Sequence, residues 1–180
     1  MSEIIVKLKD PFRRSRIVES LTIKRENSKY IACYLLEGEF HRENDEPAIV
    51  ERDGTKEWFR FGKYFRDNDK PVIEAHNGIK EWRTQRGALH RENDMPAMIT
   101  PTEQRWYRNG KLHRDGDKPA RVYKNGDKYW YRLDYLHRDN GKPGVMLANG
   151  QCWWWVNGSR LEQPEHQYGT RSKSKKSRVK

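Results

Sequence analysis

Large aromatic side chains recur along this chain at a fixed interval. Tryptophans are spaced 24 residues apart at positions 58, 82, 106, 130 and 154, and Tyr34 stands one interval before the first of them. Self-similarity at a period of this length is typical of a repeat protein, in which each unit packs on its neighbours. The pattern therefore predicts an array of similar units rather than one central core.

The residues around each tryptophan predict strands. A unit has a short apolar stretch after a proline ("AIVER", "ARVYK"), then a tight turn, then a longer stretch that carries the tryptophan ("TKEWFRF", "DKYWYRL"). Valine, isoleucine and aromatic residues favour strands, and no segment shows the helical period of about 3.6 residues. We therefore expect an all-β fold, an elongated single sheet of stacked antiparallel β-hairpins.

Turn signals follow the same interval. An Asx-Gly dipeptide separates the two apolar stretches at Asp53-Gly54, Asn77-Gly78, Asn125-Gly126 and Asn149-Gly150. Such dipeptides tolerate positive φ at both central positions of a hairpin turn, and we expect that geometry here. The third unit has Pro101-Thr102 in this place, so it needs a different turn.

Stacked hairpins would place the aromatic residues in a ladder along one face, with each ring covering its neighbours. The predicted ladder consists of Tyr34, Trp58, Trp82, Trp106, Trp130 and Trp154. In a chain short of other core residues we interpret the ladder as the core, and stacking of nucleic-acid bases on exposed rings is the alternative. In a strand, Trp153 and Trp155 lie opposite Trp154 and offer apolar surface to a protein partner or a second copy.

Composition limits what else can hold the fold together. Hydrophobic residues make up 34% of the chain and charged residues 35%, which leaves little material for a thick core. Cys33 and Cys152 are far apart in the sequence and fit a reduced intracellular protein better than a disulfide framework. The chain shows neither a signal peptide nor a transmembrane segment, so we expect a soluble intracellular protein.

Positive charge is concentrated at the two ends. Of the net charge of +11, residues 37–170 contribute little, since they hold 23 basic and 22 acidic residues. Residues 163–180 are predicted to form a disordered basic tail, and residues 1–36 a strand-rich cap before the repeats at 37–162. The candidate nucleic-acid-binding residues are Arg171, Lys173, Lys175, Lys176, Arg178 and Lys180 in the tail and Arg13, Arg14 and Arg16 near the N-terminus.

Three polar residue types, histidine, arginine and aspartate, recur at equivalent positions of the loops between successive units. Each set of equivalent residues is called a column. The repeat-loop residues are His41, Arg42, Asp45, His90, Arg91, Asp94, His113, Arg114, Asp117, His137 and Arg138, and Arg66 and Asp69 continue the columns in the second loop. Catalysis needs unlike groups converging on one point, whereas a repeat presents like groups in a row. Units advance by about 10 Å, too far for histidines of neighbouring loops to share a metal.

We therefore predict no catalytic residue, no metal and no cofactor. Two interpretations of the arginine column remain. Either arginine and aspartate, three positions apart in the same loop, pair with each other or with backbone carbonyls, or the arginines form an exposed stripe for phosphates or an acidic partner.

The segment "WYRNGKLHRDGDKPARVYKNGDKYW" resembles the MORN repeat. The pattern W-x-x-x-G-x-x-H matches at Trp106, Gly110 and His113, and the loop reads H-R-x-x-D-x-P-A in place of H-G-x-G. This variant is similar to the MORN-like repeats common in large DNA viruses of amoebae, and the resemblance covers residues 34–162. It implies a scaffold, a dimerisation module or a lipid binder, located in the nucleus or viral factory of an infected cell.

Together these observations predict a non-enzymatic repeat scaffold that binds nucleic acid through its basic termini. DNA is favoured over RNA, and binding should be independent of sequence because phosphate contacts carry no base information. One alternative is a protein-interaction or self-assembly module that docks a host or viral partner, or a second copy, on the tryptophan-rich sheet. Another is peripheral binding to anionic membranes.

Overall fold

The structure is a computed structural model that describes residues 4–9, 17–23 and 30–162, with side chains from residue 32 onward. Every regular element in these ranges is a strand, which confirms the all-β prediction. The strands are β1 (Ile4–Lys9), β2 (Ile17–Ile23), β3 (Tyr30–Leu36), β4 (Glu39–Phe40), β5 (Ile49–Glu51), β6 (Lys56–Glu57), β7 (Phe59–Arg60), β8 (Lys63–Tyr64), β9 (Ile73–Glu74), β10 (Lys80–Glu81), β11 (Met98–Ile99), β12 (Glu103–Arg105), β13 (Tyr107–Arg108), β14 (Lys111–Leu112), β15 (Arg121–Tyr123), β16 (Lys128–Tyr129), β17 (Tyr131–Arg132), β18 (Tyr135–Leu136), β19 (Val145–Met146), β20 (Cys152–Val156) and β21 (Ser159–Leu161).

A long antiparallel sheet of 15 strands contains most of these elements. Its order is β1-β2-β3-β5-β6-β9-β10-β11-β12-β15-β16-β19-β20-β21, with β4 paired to β3. The three strands of the predicted N-terminal cap are thus continuous with the rest of the sheet. Neighbours in the sheet follow one another along the chain, so the order reflects local pairing.

Three short hairpins lie outside the long sheet, which corrects the expectation of a single sheet. They are β7–β8, β13–β14 and β17–β18, each a separate two-stranded sheet. The long strand expected to carry each tryptophan is interrupted at three of them: Trp58 falls between β6 and β7, Trp106 between β12 and β13, and Trp130 between β16 and β17. At these positions one half of the predicted strand pairs in the long sheet and the other half in a short hairpin. Trp154, in contrast, lies inside the continuous strand β20.

Backbone hydrogen bonding explains the break. The amide of Trp106 donates to the carbonyl of Ala120 at 2.8 Å, whereas the carbonyl of Trp106 accepts the amide of His113 at 3.0 Å. The first bond joins Trp106 to the first strand segment of the next unit, whereas the second bond closes the loop of its own unit. The chain changes pairing partner at Trp106, and the strand is interrupted there.

The Asx-Gly turns differ from the expected geometry. Only the glycine has positive φ, 101° at Gly126 for example, and the amide of Gly126 donates to the carbonyl of Tyr123 at 3.0 Å. Asn125 instead accepts the amide of Asp127 on its side-chain oxygen at 3.1 Å, as asparagine often does in turns. Two consecutive positive φ values occur elsewhere, as at Asn109 and Gly110 between β13 and β14.

The core is thin and is assembled from small and aromatic residues. Ala48, Ala97 and Ala120, which follow the prolines of their units, are fully buried. The carbonyl at this position accepts the amide of the aromatic residue of a neighbouring unit, as that of Ala120 does from Trp106 at 2.8 Å. Val72 occupies the same position in another unit and is also buried. The tryptophans at 58, 82, 106 and 130 are also buried, at 5–8% exposure, whereas Trp154 is half-buried.

Candidate functional site: the arginine loops

Each loop arginine lies flat over the tryptophan of its own unit. The guanidinium carbons of Arg66, Arg91, Arg114 and Arg138 lie 3.7–3.8 Å from the ring centres of Trp58, Trp82, Trp106 and Trp130. Arg42 covers Tyr34 in the same way at 3.6 Å. No tryptophan ring contacts another tryptophan ring in the described part of the chain. The expected ladder of rings covering one another is therefore corrected: arginines cover the rings.

The same arginines pair with aspartates of the preceding loop. Arg114 Nε donates to Asp94 Oδ1 at 2.7 Å, across 20 residues of sequence. Equivalent 2.7 Å contacts join Arg66 to Asp45, Arg91 to Asp69 and Arg138 to Asp117. The expected pairing of each arginine with the aspartate of its own loop is thus wrong, because the aspartate partner belongs to the previous unit. The expected contact with a backbone carbonyl does occur, since Arg114 Nη1 donates to the carbonyl of Pro119 at 3.3 Å. The exposed stripe is not seen.

The aspartate of each loop also holds the indole that the arginine covers. Trp106 Nε1 donates to the backbone carbonyl of Asp94 at 2.9 Å, and Trp130 Nε1 donates to that of Asp117 at 3.0 Å. The aspartates adopt positive φ, 55° at both positions, which aims carbonyl and carboxylate at the next unit. Aspartate tolerates this conformation better than most residues. One aspartate therefore fixes both the ring and the cation of the following unit.

A lysine in three loops adds a second cation to the aspartate. Lys118 Nζ lies 2.7 Å from Asp94 Oδ2, and Lys70 and Lys142 make the same contact with Asp45 and Asp117. Hydrogen bonds from arginine and then lysine lower the pKa of Asp45, Asp94 and Asp117 to about 2. These carboxylates stay ionised at any physiological pH. The first loop has Glu46 in the lysine position, and there Arg42 pairs with Glu46.

The loop histidines join one loop to the turn of the next unit. His41 Nδ1 accepts the amide of Phe61 at 3.2 Å, and His137 Nδ1 accepts that of Asn157 at 3.1 Å. The Nε2 atoms face an acidic residue two positions further on, at Glu43, Glu92, Asp115 and Asp139. Each histidine thus has partners of its own. Within the described ranges, no three His, Cys, Asp or Glu residues are grouped so as to hold a metal ion.

His113 departs from this arrangement. Its Nδ1 is buried without a hydrogen-bond partner. The turn that faces it has Asp134 in the position where other units have glycine, and the Asp134 side chain accepts the amide of Leu112 at 2.7 Å. Burial lowers the pKa of His113, and the positive charges of Arg108 and Arg132 lower it further. His113 is therefore neutral at neutral pH.

Shallow grooves separate consecutive loops. The groove between the loops at 113–118 and 137–140 has a volume of about 410 Å³ and is lined by polar side chains with Trp130 at its base. A similar groove of about 270 Å³ lies one unit earlier, above Trp106. The charged groups that line each groove are already paired across it. The grooves repeat the same chemistry from one unit to the next.

The sequence patterns do not predict two further sets of ion pairs. Arg60, Arg108 and Arg132 pair with Asp67, Asp115 and Asp139 on the exposed side of the short hairpins. In the long sheet, the buried carboxylate of Glu103 accepts hydrogen bonds from Arg105 and Arg121. Burial opposes ionisation of Glu103, but these two cations outweigh it and lower its pKa. A recurring arginine two residues after the tryptophan would have revealed the first set.

The candidate nucleic-acid-binding residues lie outside the described residues. This applies to the tail residues at 171–180 and to Arg13, Arg14 and Arg16. The described part of the chain contains no helix that is long and apolar enough to cross a membrane. Comparison of the chain with protein-family models, with curated proteins and with solved structures returned no match.

Proposed function

We propose that this chain is a non-enzymatic scaffold of MORN-like β-hairpin repeats that binds nucleic acid through its basic ends. DNA is the favoured ligand, and binding is independent of sequence. The proposed location is the nucleus or viral factory of an infected cell. The observation that carries the proposal is the division of charge, with cations in excess at the ends and balanced in the middle.

The loop contacts support the assignment of binding to the ends. The side chains of Arg66, Arg91 and Arg138 are only 10–13% exposed, and each is paired with an aspartate. A phosphate would have to displace that aspartate and would gain little net electrostatic energy. The terminal arginines and lysines have few acidic residues near them in sequence, so counterion release favours binding there.

The loop geometry supports the repeat assignment and the absence of enzymatic activity. Equivalent positions of successive loops carry the same residue type, and these side chains contact the neighbouring unit. Gly110, which matches the MORN pattern, has a φ of 84° and donates its amide to the carbonyl of Leu89 at 2.8 Å. These residues account for the repeated motif without a reaction.

A second candidate function is protein interaction near the C-terminal end of the sheet. Leu133, Tyr135 and Leu161 are 43–62% exposed in the last two units. Exposed apolar side chains favour contact with another protein. Concentration-dependent mass without nucleic-acid binding would favour this function over the first.

The test is fluorescence anisotropy of a labelled 20-base-pair duplex with four forms of the full chain. One has the six tail cations replaced by glutamine, and a second has Arg13→Gln, Arg14→Gln and Arg16→Gln. The control variant replaces six exposed lysines of the described repeats by glutamine, and thus matches the tail variant in charge: Lys56, Lys63, Lys80, Lys111, Lys124 and Lys128.

The proposal predicts that the tail variant loses most of the affinity and that the control keeps it. The N-terminal variant should lose part of it. Equal losses in the tail variant and the control would mean that net charge alone attracts DNA. No binding by the unmodified chain at physiological salt would reject the nucleic-acid function.

A further inference from the structure

The last unit keeps the tryptophan of the arginine loops but changes both of its charged partners. Trp154 Nε1 donates to the carbonyl of Gly141 at 2.9 Å, as the other tryptophans do to their aspartates. Gly141 stands where the earlier loops have aspartate, and Glu162 stands where they have arginine. Both replacements therefore affect the residues expected around Trp154. The indole is held in position, but the cation and its carboxylate are replaced.

Trp154 is consequently the most accessible of the five tryptophans spaced 24 residues apart. It is half-buried, whereas the four preceding tryptophans are buried. No arginine or lysine of the described chain lies over it, although Arg160 lies 5.5 Å from the neighbouring Trp153. Glu162, which is exposed, supplies a negative charge eight residues after the ring. Leu161, the residue before Glu162, pairs with Trp154 across β20 and β21, so this carboxylate is adjacent in sequence to the cross-strand partner of the indole.

We propose that Trp154 and Glu162 form a binding site for an arginine side chain presented by a partner protein. The chain itself shows how such a ligand sits: in five loops a guanidinium lies 3.6–3.8 Å from the ring centre and pairs with an acidic residue. At Trp154 the partner protein supplies the cation. The partner's guanidinium stacks on the indole, and Glu162 takes the role of the aspartate.

The five occupied sites also favour arginine over lysine as the ligand. Lysine is abundant in these loops, yet the residue over each ring is always arginine, and the lysines contact only the aspartates. A planar guanidinium can stack on a ring and donate hydrogen bonds in its plane at the same time. An ammonium cannot make both contacts in this geometry. We expect an arginine-bearing peptide to bind more tightly than its lysine analogue.

The experiment is an NMR titration of the full chain with three short peptides. The probes are acetyl-Gly-Arg-Gly-amide and the analogues with lysine or citrulline in the central position. The signal is the indole N–H resonance of Trp154, assigned by its loss in the Trp154→Phe variant. The arginine peptide should shift this resonance saturably in the millimolar range, at least threefold more tightly than the lysine peptide. The citrulline peptide, which has no charge, should not bind.

A variant that closes the site provides the decisive comparison. Gly141→Asp with Glu162→Arg restores the residues of the earlier loops. Aspartate should be accepted at position 141, because φ there is 64° and no other atom lies within 4 Å of an added Cβ. The double variant should raise the urea midpoint of unfolding and abolish peptide binding. Glu162→Gln alone should weaken binding several-fold and leave the fold unchanged.

Three results would overturn the proposal. One is equal binding of the citrulline peptide, which would show that charge is not recognised. Another is undiminished binding to a folded double variant, which would place the peptide elsewhere. The third is binding that emerges only after Arg171→Gln and Arg178→Gln, because the chain's own tail would then be the occupant rather than a partner.

Discussion

Arginine side chains in loops are usually solvated, but the five that stack on the repeat aromatic rings are only 10–20% exposed. Arg114 is 16% exposed, and it contacts a tryptophan ring, an aspartate of the preceding unit and the carbonyl of Pro119 at 3.3 Å. Removing a guanidinium from water is costly, and these three contacts offset the cost. The residue thus links the core of its own unit to the loop before it and to the strand after it.

The first prediction concerns this linking role. Arg114→Gln should lower the free energy of unfolding by about 2 kcal/mol, from roughly 1 for the lost stacking and roughly 1 for the lost charged hydrogen bonds. Urea denaturation measures the change. Arg108→Gln is the control, because Arg108 belongs to the same unit but is 49% exposed in a surface pair, and should change stability by less than about 0.5 kcal/mol. Equal effects of the two substitutions would contradict the account.

The second prediction follows from the lowered pKa of Asp45, Asp94 and Asp117. Each is about 2 in the folded chain, below the value of about 3.9 for an unfolded aspartate. The pairs therefore stabilise the fold fully above about pH 4, and this contribution is lost as the pH falls toward 2. The urea midpoint should drop over this range, less steeply in Asp94→Asn. A constant midpoint from pH 5 to pH 2 would contradict the prediction.

At the scale of the element, sequence reasoning identified the strands and missed where they end. The residue types of the segments that carry Trp58 and Trp106 predict strand on both sides of the ring, and both sides are strands. The break at the tryptophan arises because its amide and carbonyl bond to different segments. Those partners lie 7 and 14 residues further along the chain at Trp106, and a local pattern does not encode them.

The third prediction concerns the turn at Gly150, which has a φ of 85° and no neighbouring atom within 4 Å of an added Cβ. Gly150→Ala should lower stability by about 1 kcal/mol, because alanine is strained at positive φ even where space is free. Gly150→Asn should cost less, since asparagine tolerates this conformation. Thermal unfolding compares the two variants. If alanine were as stable as glycine, the turn could not have the geometry described.

At the scale of the whole molecule, each unit is stabilised by its neighbours. The amide of Trp106 bonds forward to Ala120, and the indole bonds back to Asp94. Central units have a neighbour on both sides, whereas among the described strands β21 pairs with β20 alone. Stability in such an array is approximately a sum of unit and interface contributions. The ends should therefore open more readily than the middle.

The fourth prediction is a gradient of hydrogen exchange along the array. The amide of Trp106 should be protected at least about tenfold more strongly than that of Arg160 in β21, a difference of about 1.4 kcal/mol. Exchange monitored by NMR at two pH values gives both rates. Identical protection at the two positions would indicate a single cooperative unit instead of coupled units.

The sequence predicts the candidate site only in part, because the contacts of the site form between neighbouring units. The spacing of Arg114 and Asp117 indicates that both lie in one loop, and charge suggests that they pair. The actual partner, Asp94, is 20 residues earlier, and only the stacking of one loop on the next brings it near. Sequence periodicity identifies the columns, whereas the direction in which each side chain reaches depends on the assembled array.

The most direct test of the proposed function is the salt dependence of DNA binding. The slope of log K against log salt should be measured for the full chain and for the variant with the six tail cations replaced by glutamine. If the tail neutralises one phosphate per cation, the slope should become shallower by about 5 in the variant. An unchanged slope with unchanged affinity would contradict the account, because binding would then depend on cations elsewhere in the chain.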